Sequence, residues 1–117
     1  MHDFRRLHVW QRARELAVAL DVVTRRFPRS DRGVVAGQLP RAALSIPANI
    51  AEGCGKSSRK ETIRFFQIAS GSAHETENHL LIAADLGYLS GNIREDLIGQ
   101  LAAIQRMLAG LMRRLPD

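Results

Sequence analysis

The sequence predicts an all-α fold: one domain over residues 1–117, built as an antiparallel, up-down-up-down four-helix bundle. Three observations predict it. Apolar residues recur every three or four positions in four long segments, short polar connections separate those segments, and no stretch alternates apolar and polar residues as a strand does. No internal repeat or low-complexity linker divides the chain.

Helix 1 is expected over about 8–26. Val9, Ala13, Leu16, Leu20, Val23 and Phe27 follow a 4-3-4-3-4 spacing that keeps one face apolar. Pro28 stops it, because the residue before a proline is pushed out of the helical region. Ser30 or Asp31 then supplies an N-cap. Helix 2, over about 32–54, contains Pro40 and Pro47, yet Val35, Leu39, Ala42, Ile46, Ile50 and Gly53 keep their phase through both. One helix bent at the prolines is expected.

Ser58-Arg59-Lys60-Glu61 has capping-box spacing, in which serine accepts from the glutamate amide and the glutamate side chain reaches back. Helix 3 therefore runs over about 58–86 and ends at Gly87, a residue free to take the left-handed C-cap conformation. Asn92-Ile93-Arg94-Glu95 repeats the capping logic and opens helix 4, about 91–115. Its apolar series Ile93, Leu97, Leu101, Ile104, Leu108, Leu111 and Leu115 is unbroken.

Composition bounds the function. No apolar run reaches the roughly 18 residues of a membrane span, and the charged N-terminus lacks the order of a signal peptide. With a single cysteine, Cys54, a cytoplasmic setting is expected. Seventeen basic residues, fifteen of them arginine, face twelve acidic ones, for a net charge of +5. The charge is uneven: +4 over residues 1–32, +3 over 33–66, −4 over 67–99 and +2 over 100–117. Arginine suits bidentate phosphate recognition, and it also accumulates in GC-rich genomes.

Two motifs come close to catalytic chemistry and miss it. In His74-Glu75-Thr76-Glu77-Asn78-His79 the histidines are five apart, about 140° around a helix, where a zinc helix needs four. Gly53-Cys54-Gly55-Lys56-Ser57 ends like a phosphate loop, but Ile50 stands where its first glycine belongs and no strand precedes it. Cys54 has no neighbouring histidine to activate it. No catalytic residue, metal site, cofactor or small-molecule substrate is expected, and the chain is not read as an enzyme.

Polar and basic groups remain. Gln38, Arg41, Ser45, Asn49 and Glu52 form a second stripe on helix 2, about 100° from the apolar one, and Ser72 and Glu75 lie one turn apart on helix 3. They fit either an intramolecular network that fixes helix register or a polar seam between subunits. Arg41 is expected to pair with Glu75 or Glu52. Lys56, Arg59, Lys60 and Arg64 cluster at the start of helix 3, and Arg5, Arg6, Arg12, Arg25, Arg26, Arg29 and Arg32 follow helix 1 and its loop. These eleven are candidate phosphate contacts, against the alternative of a solvated face. With six aromatic residues, stacking platforms are few, so any nucleic-acid binding is expected to be electrostatic and weakly sequence-specific.

The order of motifs resembles a family of small four-helix bundles encoded in intervening sequences of bacterial large-subunit ribosomal RNA genes, and is similar to the accessory variability determinants of diversity-generating retroelements. The carrying residues are Leu7-x-Val9-Trp10-Gln11-x-Ala13, Phe27-Pro28, Gln38, Arg41-Ala42 and Ser45-Ile46-x-x-Asn49-Ile50-Ala51-Glu52-Gly53. Phe66-x-Ile68-Ala69-x-Gly71-Ser72-x-x-Glu75 and Leu86-Gly87-Tyr88-Leu89 complete them. Pro40 and Cys54 depart from the pattern, where basic and aromatic residues are more usual. The resemblance implies a homopentameric ring of antiparallel bundles; in the retroelement relatives the ring engages a reverse transcriptase and nucleic acid. The leading expectation is a non-enzymatic, homo-oligomeric module that contacts RNA, DNA or a ribonucleoprotein through its arginines. The alternative is a structural or regulatory protein-interaction module that docks through the acidic second half of helix 3.

Overall fold

A computed structural model describes residues 3–31 and 34–116. Four α-helices make up the fold: α1 (His8–Thr24), α2 (Val34–Cys54), α3 (Arg59–Asp85) and α4 (Gly91–Arg114). Short 3-10 turns at Phe4–Arg6 and Arg29–Asp31 complete it, and no strand occurs among the described residues. Each helix packs on the next in sequence and α4 closes against α1, giving a bundle of 48 × 23 × 20 Å. No helix is long and apolar enough to cross a membrane among the described residues.

The apolar stripes converge on one core. Leu16, Leu20, Leu39, Ile46, Phe66, Leu80, Leu101 and Leu108 are fully buried within it. α1 stops two residues earlier than the spacing predicts, since the amides of Arg26 and Phe27 turn back to the carbonyls of Val23 and Thr24, each at 3.1 Å. This tightened turn tucks Phe27 under the chain, with its ring 5.1 Å from that of Tyr88. α2 runs as one helix through Pro40 and Pro47, so burial of its apolar face outweighs the two missing backbone donors. Ser30 and Asp31, expected as caps, belong to the second 3-10 turn. The expected helix 2 start near residue 32 lies outside the described residues.

Ser58 caps α3 as its spacing predicts, accepting from the Glu61 amide at 3.2 Å, but the Glu61 side chain turns to Arg64 instead of reaching back. At the other end Gly87 adopts φ 81°, and the amides of Gly87 and Tyr88 return to the carbonyls of Ala84 and Ala83, both at 2.9 Å. That is the Schellman pattern, which needs a residue tolerant of positive φ. The α4 cap is a correction: Ser90, not Asn92, accepts from the amide three residues on, Ile93, at 3.3 Å. Asn92 already lies in the first turn.

Cys54 is buried at the end of α2, and desolvation pushes its thiol pKa up. The reactive thiolate is therefore scarce at neutral pH. Native protein should react with a thiol reagent many-fold more slowly than denatured protein, and equal rates would contradict the burial.

Candidate nucleic-acid interface

The polar stripe of α2 meets α3 at one place. The hydroxyls of Ser45 and Ser72 lie 2.8 Å apart, and the Asn49 amide nitrogen donates to the Ser45 carbonyl and hydroxyl at 2.8 and 2.9 Å. One turn on, the Thr76 hydroxyl donates to the Ser72 carbonyl at 2.7 Å. Near the end of α2, the buried Thr62 hydroxyl donates to the Gly53 carbonyl at 3.0 Å. Gln38, Arg41, Glu52 and Glu75 stay exposed outside this seam. The expected Arg41 pairing is not formed among the described residues: Glu52 faces Lys56 at 3.8 Å and Glu75 lies 3.2 Å from a ring nitrogen of His79, each partner four residues further along the chain. Ser72→Ala should lower stability by about 1 kcal/mol, a fall of roughly 4 °C in Tm. An unchanged melting curve would remove the seam from the list of register-setting contacts.

α1 and α3 divide the basic candidates between the two ends of the bundle. Arg59 Nε donates to the Leu115 carbonyl at 3.3 Å, which puts the start of α3 beside the end of α4. Residues Arg6 to Val9 share a cleft with Met107, Leu111 and Arg114, which brings the start of α1 to the same end. Arg5, Arg6, Lys56, Arg59, Lys60 and Arg64 thus gather there, with Arg12 one turn further along α1. Arg25, Arg26 and Arg29 sit at the far end of α1, about 25 Å away along its axis, next to the α3–α4 turn through the Phe27–Tyr88 contact. Arg32 lies outside the described residues.

Within the first group the cations are engaged to different degrees. Arg5 grips Asp3 with two bonds of 2.8 and 2.9 Å, which hold the carboxyl pKa below its ordinary value. The Lys56 ammonium and the Arg64 guanidinium stand 4.9 and 5.1 Å from the centre of the Phe65 ring. Contacts of this kind fix the cations in place without neutralising them. Arg59, Lys60, Glu61, Ile63, Arg64 and Gln67 line a shallow trough on the outer face of α3. At the far end, Arg25 is paired with Asp21.

Sequence reasoning passed over Arg113 and Arg114, exposed in the last turn of α4, which join the first group at the shared end. Their only signal was a basic pair at a helix C-terminus, which favourable dipole interaction already explains. It also missed the α3–α4 contact in which Ser70 donates to Gln105 Oε1 at 2.7 Å, with His74 Nδ1 2.9 Å from the Gln105 amide nitrogen. His74 and His79 thus have separate partners, Gln105 and Glu75.

The profile of the 23S rRNA-intervening sequence protein family matches residues 5–110. Among solved structures, a protein of unknown function from the S23 ribosomal protein family of Bacteroides thetaiotaomicron VPI-5482 is 26% identical. The two superpose with a TM-score of 0.82, over 89% of this chain and 97% of the other. No curated protein matches the chain.

Proposed function

Because the chain belongs to the 23S rRNA-intervening sequence protein family, we propose that it is a non-enzymatic binding and assembly module that contacts RNA, alone or within a ribonucleoprotein. One observation carries this reading: the start of α1, the start of α3 and the end of α4 bring Arg6, Lys56, Arg59, Lys60, Arg64, Arg113 and Arg114 to one end of the bundle. Seven long cations at one end suit a polyanion whose charges repeat along a backbone. The half-buried Phe65 ring under Lys56 and Arg64 adds preorganisation.

The same contacts support alternating helix directions, the antiparallel arrangement of the resemblance. We extend the proposal to a homo-oligomer, a pentameric ring in a cytoplasmic setting. Five copies of a +5 chain carry +25, and linked weak sites gain avidity without new contacts.

The test is titration of labelled structured RNA and duplex DNA at about 50 and 200 mM salt. Backbone binding through six or more phosphates should weaken about a thousandfold between those concentrations. Undetectable binding at the lower salt would reject the nucleic-acid reading in favour of a protein partner.

A further inference from the structure

We infer that the corner between α3 and α4 of one copy docks into the cleft between the start of α1 and the end of α4 of a second copy, joining bundles head to tail. This contact does not rest on the RNA reading or on the pentamer, although it draws Arg6 and Arg114 from the same basic end, and two complementary surfaces at opposite ends of the molecule carry it.

The accepting surface is a cleft of about 230 Å³ with apolar walls from Leu7, Val9, Met107 and Leu111 and a charged rim from Arg6 and Arg114. Neither rim guanidinium forms a salt bridge among the described residues; Arg6 acts on Asp3 only through longer-range attraction, since that carboxylate is gripped by Arg5. Gly110 lets Arg114 fold back along α4: its Nη1 lies 3.0 Å from where a Cβ on that glycine would sit. The cleft therefore offers an apolar slot with positive charge at its mouth, which fits an apolar side chain with a carboxylate beside it.

The other end of the same molecule presents that combination. Ile82 near the end of α3 and Leu86 just past it, four residues apart, are 41% and 53% exposed, and Ile93 in the first turn of α4 is 42% exposed. Asp85 adjoins Leu86 in the chain and Glu95 follows Ile93; both are exposed and neither has a cationic partner among the described residues. The Schellman turn at Gly87 holds this corner in a fixed shape. Large exposed apolar side chains ringed by charge mark contact surfaces. Here Leu86 is the anchor for the slot, and Asp85 and Glu95 face the two guanidiniums.

Donor and acceptor surfaces differ and lie at opposite ends, so the contact is heterologous and each added copy exposes a fresh end. The backbone cross-section is only 23 × 20 Å, and one corner seated in one cleft covers part of it, so the contact is smaller than the roughly 800 Å² per partner of a standard interface. The association is accordingly weak, lost on dilution, and sensitive to salt.

Sedimentation of the full chain without nucleic acid, at about 50 mM salt and rising concentration, tests it. Two variants are compared with wild type: Arg6→Glu/Arg114→Glu in the cleft, and Asp85→Arg/Glu95→Arg at the corner. All four positions are exposed, and circular dichroism checks that both variants keep their helices. Wild type should grow in mass with concentration, each variant should self-associate at least tenfold more weakly, and an equimolar mixture should regain the lost association. Three results would overturn the docking: a wild type monomeric throughout, assembly that neither or only one variant weakens, or a mixture that stays dissociated. Assembly untouched by both variants would leave the oligomer reading standing and remove this contact alone.

Discussion

Phe66→Ala is expected to lower the unfolding free energy by about 3–5 kcal/mol, roughly a fifth or more of what a domain of this size usually has. Phe66 is fully buried at the α2–α3 packing, and its ring edge meets the backbone of α2 at Gly53. A Cβ on Gly53 would stand 2.8 and 2.9 Å from two carbons of that ring and 3.1 Å from the Thr62 carbonyl oxygen. That carbonyl belongs to the helix backbone, and a buried ring has nowhere to turn. Gly53→Ala should therefore destabilise by about 1–3 kcal/mol, although alanine gains about 1 kcal/mol over glycine in a helix interior.

The two substitutions should not add. Truncating Phe66 removes the atoms a methyl group on residue 53 would strike, so Gly53→Ala in the Phe66→Ala background should cost much less than it does alone. A coupling of about 1 kcal/mol or more is expected for groups in direct contact. Chemical denaturation of the four proteins measures it. Strict additivity would mean that the close approach of α2 and α3 at this point does not limit their packing.

The second large effect concerns binding. Replacing Lys56, Arg59, Lys60 and Arg64 together by glutamine should weaken RNA binding by about 100-fold at low salt and flatten the slope of log affinity against log salt by about 3. The fold should survive. All four side chains are substantially exposed, and the pairs of Lys56 with Glu52 and Arg64 with Glu61 are surface ion pairs of small worth. A variant that melts near the wild-type temperature and binds RNA equally well would exclude this cluster from the interface.

Most of the fold is legible in the chain because one physical signal dominates: a continuous apolar stripe, closed by residues whose backbone chemistry is unambiguous. Ser58 and Gly87 act where their spacing puts them, since an N-cap oxygen and a positive φ are local requirements. The α4 cap was misread because Ser90 and Asn92 are both competent caps two residues apart, and the choice depends on how the chain leaves the Gly87 turn. The site was less legible for a different reason. Arg5 to Arg32 look like one basic tract in the sequence, but among the described residues α1 separates Arg5 and Arg6 before its start from Arg25, Arg26 and Arg29 beyond its end. Arg113 and Arg114, distant in sequence, join the start of α3 through the Arg59–Leu115 bond. Arg41 is expected to pair with Glu75 or Glu52, yet each acid has a partner four residues further along the chain, Glu52 with Lys56 and Glu75 with His79.

The division of the arginines between the two ends gives a direct comparison. RNA affinity is measured against salt for three proteins: wild type, the quadruple glutamine variant at Lys56, Arg59, Lys60 and Arg64, and a triple glutamine variant at Arg25, Arg26 and Arg29. If the end formed by the start of α3 and the end of α4 is the interface, the quadruple variant loses affinity and slope while the triple variant follows wild type. Equal losses in both, or a loss confined to the triple variant, would contradict it.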